Sequence, residues 1–548
     1  MNKVYVFFID LGGVTMLDQT DVQKTFWRGT LVISGAALIV KVLSAFYRIP
    51  FQNIAGDLGL YVYQQVYPFY AIAFALSLYG FPLIISKIIS ENEGRQARDA
   101  LTTTFVGLCT FFVIVFLILY HSADHIAKGM NDPMLVGPLR MASFSFLFVP
   151  FLSVMRGYYQ GEKDMTPTAV SQIAEQMIRV GLILIFTIYL VTNGADRYLV
   201  GSGAVFGGLA GSVVAIFILG LFLKKQSKPI LGIHFLPIRQ STALIGTILK
   251  GGLAICITAV MFALFQLVDA LQVVPGLQSS GMDSLDAKVS KGVFDRGQPL
   301  LQLGTVLATA MALPLIPFIA KANQSNDRKR VIEFAGQSLK FSFIVGGAAA
   351  IGLAVIIEPT NVFLYEDQNG SLALGILGVA ILFGSIAITS SAILQGLGKI
   401  SFPVLFILIS LGIKGLLNLW FIPHFGITGA AITTVMSAAF VAICNLMMVQ
   451  KLTNVFQVHR FSSLKVVFAL ILMAVSTFLW KESLLLFQSG NERLVAGVIA
   501  LSSAGIGAAV YLLVLMYQNV WNRDELRMLP KGEYLIKWFY RDRRGENG

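Results

Sequence analysis

Long apolar stretches alternate with short polar ones along almost the whole chain. Fourteen segments carry the pattern: 27–49, 59–86, 101–120, 134–154, 167–192, 199–222, 243–271, 297–320, 336–357, 372–395, 401–421, 427–449, 464–480 and 494–518. Each is long enough to cross about 30 Å of hydrocarbon as a helix rising about 1.5 Å per residue. The pattern therefore predicts an all-α polytopic membrane protein with about fourteen transmembrane helices. Between them lie short connections, a longer loop at 272–296, a linker at 223–242 and a tail at 519–548. The first 25 residues lack the basic start, long apolar core and small-residue site of a cleavable signal. "VYVFFIDLGGV" is too short to span, and Met16 opens a more ordinary terminus, so either Met1 or Met16 fits as the start.

The pattern repeats. "YPFYAIAFALSLYGFPLIISK" resembles "QPLLQLGTVLATAMALPLIPFIAK", which pairs Pro82 with Pro314. "YYQGEKDMTP" resembles "LQGLGKISFP", which pairs Pro167 with Pro403, and Ser212 matches Ser437 at a similar separation. Passes 1–6 (27–222) and 7–12 (243–449) thus read as two pseudo-symmetric six-helix lobes, with passes 13 and 14 (464–518) appended. Each lobe has an even number of passes, so both enter from the same side. Parallel repeats of this kind characterise alternating-access transporters.

Composition strengthens the membrane reading. Hydrophobic residues make up 56% of the chain, charged residues only 13%, and mean hydropathy is +0.75. The formal charge of +12 would suggest nucleic acid on a soluble protein. Its placement argues otherwise. With the N-terminus inside, 28 of the 41 Lys and Arg fall in segments 1–26, the even-numbered connections and the tail, or, for Arg28, Lys340 and Lys465, at the adjoining ends of passes 1, 9 and 13. This bias puts both termini, residues 1–26, the linker and the tail in the cytoplasm. It also accounts for the basicity with membrane lipids as partners and no nucleic acid. Cys109, Cys256 and Cys444 lie in apolar runs and read as packing residues.

Beyond Arg28, Lys340 and Lys465 at the cytoplasmic ends of their passes, six cations fall inside the spans: Lys41, Arg48, Arg140, Arg179, Lys250 and Lys414. Only Glu175 and Asp269 are comparably placed acids. A charge at mid-bilayer costs about 2.5–3.5 kcal/mol on insertion scales, so such residues face a partner, a cavity or the interface. Glu175 and Arg179 have i, i+4 spacing on one helix face, with Gln172 and Gln176 beside them. Two roles stand open for that pair: neutralising Arg179 in an empty cavity, or pinning pass 5 to its neighbours. The excess of cations over acids predicts a water-filled cavity that receives an anion. Lys250 and Arg48 also have the option of snorkelling. His121 and His125 show no zinc-type context, no P-loop is present, and no cofactor or enzymatic activity is expected.

These residues carry a resemblance. "MRGYYQGEKDMTPTAVSQIAEQMIR", "FDRGQPLLQLGTVLATAMALPLIPFIAKA" and "ILQGLGK" resemble the polysaccharide-export branch of the multidrug/oligosaccharidyl-lipid/polysaccharide superfamily. Within it they are most similar to stage V sporulation protein B-like and MurJ-type lipid II flippases. The resemblance covers about 27–518. It implies two lobes around a central cavity and a lipid-facing groove at passes 13–14. It also implies a substrate, an undecaprenyl-pyrophosphate-linked saccharide carried between leaflets of a bacterial plasma membrane, with cell-wall synthesis enzymes as further partners. Family members place essential basic residues on helices 1, 2 and 8. Lys41, Arg48 and Arg296 match or adjoin such positions, whereas "AIAFALSLYGFP" on pass 2 has no basic residue. Arg140, Arg179 and Lys414 are the candidates to compensate. Asp269 and Asn418 are coupling-ion candidates by the same resemblance. The alternatives are a multidrug or toxin exporter of the superfamily, a membrane glycosyltransferase or ligase, and a non-transporting cell-wall scaffold.

Overall fold

The computed structural model describes residues 42–92, 94–225, 230–232, 234–458, 463–486 and 492–520, with Gly35, Ile39 and Val40. The described residues fold as helices joined by tight turns. Thirteen helices are long and apolar enough to cross a membrane. Two of them, Val42–Glu91 and Ser401–Thr453, each hold two passes, and two others are halves of the seventh pass, so the fourteen-pass pattern is recovered. The double helices reverse at Gly56 (φ 74°) and Gly426 (φ 59°), conformations that a residue with a Cβ rarely adopts. Large apolar side chains such as Phe217, Leu416, Met447 and Leu501 stay exposed around the outside. On a membrane protein that is the surface lipid covers.

Passes 7 and 8 depart from the expected boundaries. Residues 272–296 read as a long loop in sequence, yet most of them are helical. Pass 7 runs Ile238–Ala259 and Met261–Ser279, broken at Val260. Pass 8 runs Ser284–Asp295, Gly297–Gly304 and Val306–Gln324, with Asp283 accepting a bond from Leu285 N at its start. Polar residues hid this helix because its partners are charged groups of the other lobe rather than lipid.

The first half of pass 7 also crosses the expected lobe boundary. A Cβ at Gly252 would lie 2.3 Å from the Phe81 ring, and one at Gly107 would lie 2.5 Å from Ile245. The start of the C-lobe is therefore wedged against passes 2 and 3. The linker is fastened there too, since Gly232 N donates to Thr102 Oγ1 (2.8 Å).

Pass 2 contains a π-helical segment, Leu76–Gly80. Such a segment widens the backbone bonding to i→i−5, as Phe81 N–H to Leu76 O shows. Pass 4 adds donors to two carbonyls of this segment: Ser153 Oγ to Leu76 O (3.5 Å) and Arg156 Nη1 to Ser77 O (3.4 Å).

Turns after odd-numbered passes gather at one end of the molecule, here the distal end. It carries Asp57, Asp132, Lys288 and Asp367.

Candidate functional site

The N-lobe holds a buried cage at its centre. Tyr63, Tyr67 and Tyr70 follow i, i+4, i+7 spacing on pass 2, which aligns them on one face. Tyr47 joins them, its ring edge-on to Tyr63 at 6.2 Å. Two guanidinium groups lie among the rings. Arg179, on pass 5 (Thr166–Thr192), stands 4.4 Å above Tyr70 and donates to the hydroxyls of Tyr63 (2.9 Å) and Tyr47 (3.1 Å). Arg48, at the end of pass 1, stands 4.3 Å above Tyr67. Both also lie within 6 Å of the Tyr47 ring. Ring faces and phenol oxygens stabilise these charges in place of carboxylates. Among the described residues, neither arginine has an ion-pair partner.

Arg48 is incompletely bonded. Its Nη1 donates to Gln302 Oε1 of the C-lobe at 3.3 Å, while Nε and Nη2 have no partner. Those two nitrogens form the side-on edge of the guanidinium, the fork that grips a planar or tetrahedral oxyanion with two bonds. Arg296 uses the same edge on Asp57, at 2.8 and 2.6 Å. Nearby polar groups are unmet as well: both polar atoms of Gln64 and Gln172, the Gln176 amide nitrogen and the Tyr70 hydroxyl.

Three sequence expectations need correction. Glu175 does not pair with Arg179. Its carboxylate accepts from Arg156 Nη2 at 2.6 Å and from Ser212 Oγ at 2.9 Å, with Arg156 and Glu175 side chains 0% and 1% exposed. Spacing along one helix made Arg179 reachable, but a cation on pass 4 lies closer. The cavity expectation fails in this conformation. Arg48, Arg179, Arg296 and Lys414 are at most 2% exposed, so none of them faces open water here. Asp269 and Asn418 do not frame an empty cation site. The Lys414 ammonium lies there, 2.8 Å from Asp269 and 2.7 Å from Thr434 Oγ1, with Asn418 donating to Asp269 at 3.2 Å.

The remaining sequence candidates disperse. Arg140 pairs with Asp124 at 2.7 Å, and both are partly exposed. Lys250 is exposed, as snorkelling requires. Lys41 lies outside the described residues. Arg296 belongs to a distal clasp between the lobes. It binds Asp57 of the N-lobe and Asp367 of the C-lobe (2.7 Å), while Tyr365 donates to its carbonyl. Lys288 reaches across to Asp132 at 3.0 Å, and Asn131 donates to Gln278 at 2.8 Å. Backbones meet where a Cβ at Gly292 would lie 2.1 Å from the Asp57 carbonyl oxygen.

Sequence reasoning missed Arg156, the tyrosine face and most of the clasp. The 63/67/70 spacing was readable; Asp57 and Asp132 lay in predicted loops with no local signal.

A buried cationic cage and a charged distal clasp, set among helices long and apolar enough to cross a membrane, define a polytopic membrane protein. The chain belongs to the polysaccharide biosynthesis protein family, whose model matches residues 26–323. It is 36% identical over 536 residues to the uncharacterized membrane protein YabM of Bacillus subtilis (strain 168), covering 95% of this chain and 98% of that one. It is 27% identical over 516 residues to the lipid II flippase MurJ of the same organism, covering 88% and 94%. Its fold matches a solved lipid II flippase MurJ in an inward closed conformation with a TM-score of 0.67 at 17% identity, covering 89% of this chain and 99% of that one.

Proposed function

We propose that this protein is an alternating-access flippase for an undecaprenyl-pyrophosphate-linked saccharide in the bacterial plasma membrane. In this reading both termini are cytoplasmic and the distal end faces outward. The single observation that carries it is the unpartnered Nε–Nη2 edge of Arg48, buried beside Arg179 with no carboxylate on either. Burying an unpaired cation is costly, and an arriving pyrophosphate repays that cost with charge-assisted bonds. The lipid tail stays in hydrocarbon while the head group enters between the lobes. The distal clasp holds the outer side shut during loading from inside. Relatedness to MurJ supports the substrate class, and the basic cage argues against a pump for lipophilic cations.

The test is binding to purified full-length protein in nanodiscs. Undecaprenyl pyrophosphate should bind at least tenfold more tightly than undecaprenol. Arg48→Gln with Arg179→Gln should abolish the difference, and salt should narrow it. Equal binding of charged and neutral lipids by the wild type would overturn the reading.

A further inference from the structure

The unmet groups of the cage have two distinct chemistries. Arg48 offers donors only. Gln172 offers a donor and an acceptor, both buried and both without a partner. A phosphate has no hydrogen to give the Gln172 carbonyl oxygen, so phosphate alone leaves half of that amide unsatisfied. A sugar hydroxyl or an N-acetyl group satisfies both halves.

The positions are ordered as a phosphosugar is. Pass 5 runs toward the distal end, so Gln176 and Gln172 lie about one and two turns to the proximal side of Arg179, within about 10 Å along the helix. Gln176 is already joined to Arg179 through its oxygen (3.5 Å) and leaves its amide nitrogen free. Pass 2 runs the other way. Tyr70 and Phe74, stacked at 6.1 Å with planes 19° apart, therefore extend the aromatic face to the same proximal side. Parallel ring faces suit the apolar C–H face of a pyranose, and the Tyr70 hydroxyl adds a further unmet polar group.

Building on the flippase reading, we infer that the site recognises the junction between pyrophosphate and its first sugar. The phosphate lies on Arg48 and Arg179. The sugar lies proximal to it, on Tyr70 and Phe74, with its hydroxyl or N-acetyl groups on Gln172 and Gln176. The first sugar, rather than anything further along the head group, then sets the selectivity of the cage.

Two lipids of equal tail length provide the test: undecaprenyl pyrophosphate and undecaprenyl-pyrophosphoryl-N-acetylglucosamine, each titrated onto wild-type protein in nanodiscs. One hydrogen bond contributes about 0.5–1.5 kcal/mol, so two should tighten the sugar-bearing lipid by about fivefold to a hundredfold. Gln172→Leu should remove much of that advantage while leaving the bare pyrophosphate bound as before. Equal wild-type affinity for the two lipids overturns this inference and leaves the flippase reading standing. Binding of neither overturns both. The wild-type comparison decides the matter even if Gln172→Leu fails to fold. If the variant folds and keeps the full sugar advantage, Gln172 is excluded as the sugar's ligand and the inference falls.

Discussion

Replacing Glu175 by Gln keeps the shape of the side chain and removes its charge. Arg156 is then a fully buried cation that has lost its counter-charge, with at best a neutral amide oxygen where the carboxylate was. Its other contacts, to Ser171 Oγ and Ser77 O, are long, each at 3.4 Å. Breaking a buried pair by neutralising one partner costs about 3–5 kcal/mol. Domain stabilities are typically about 5–15 kcal/mol, so the loss is a large share of the total. It also reaches pass 2, because Arg156 supplies a donor to the π-helical segment. Unfolding of purified protein in mixed detergent, followed by circular dichroism, measures the effect. Glu175→Gln and Arg156→Met should each be strongly destabilised. The double variant should be more stable than either, since no unpaired charge is left behind. Arg179→Gln should fold normally, because it strands no carboxylate. A Glu175→Gln variant as stable as wild type would refute the argument, as would a double variant that loses the sum of the two singles.

Other consequences follow from the same contacts. Gly292→Leu should prevent distal closure, because its Cβ would collide with the Asp57 backbone; spin labels at Lys128 and Ser279 should report a longer distance. Burial pushes the Asp367 carboxyl up, but hydrogen bonds from Arg296 and from Asn369 N–H outweigh it and hold the group below its ordinary range. A depressed folded-state value means that the clasp contribution is full above the ordinary carboxylate pKa of about 3.9 and is lost only as pH falls through the lower value. The label distance should therefore stay constant between about pH 7 and pH 5, and lengthening within that interval would contradict the assignment. Arg48→Met should abolish lipid binding yet stabilise the empty protein by about 1–3 kcal/mol, because two unmet buried donors disappear; a loss of stability in the same unfolding assay would show that the cage is a packing device.

The passes were legible because hydrocarbon thickness sets a length that apolar runs must meet, whatever their tertiary partners. Legibility failed where charge was satisfied across space. The stretch 272–296 carries Asp283, Asp286, Lys288, Lys291, Asp295 and Arg296, a composition that reads as loop. It is mostly helical and charged because Lys288 and Arg296 meet acids of the other lobe. Arg156 was read as part of a loop because "YYQGEKD" follows it, although pass 4 continues as helix to Gly161. Counting cations correctly pointed to an excess, but not to its owner. Lys414, Arg140 and Arg296 each have a carboxylate, and only the tyrosine face on pass 2 reveals that Arg48 and Arg179 do without.

If the two halves are read as a repeat, each has one buried cation on its fifth helix: Arg179 lies twelve residues after Pro167, and Lys414 eleven after Pro403. The lobes treat them differently. Lys414 is neutralised by Asp269, so demand for an anion falls on the N-lobe alone. That asymmetry sets a problem for alternating access. A ligand shifts a two-state equilibrium only by its differential affinity for the two states, and a ligand held wholly by one lobe has none. Some contact must let the C-lobe sense that the cage is full. The bond from Arg48 Nη1 to Gln302 Oε1 is such a contact, since it joins the lobes through the guanidinium whose other edge is vacant. Gln302→Ala should therefore bind undecaprenyl pyrophosphate within a few fold of wild type but no longer transmit its arrival. In wild-type protein, saturating lipid should change the distance between labels at Lys128 and Ser279. In Gln302→Ala, the same occupancy should leave that distance unmoved, and flipping in proteoliposomes should fall with it. A variant that binds, responds and flips as wild type does would show that the lobes communicate by another route.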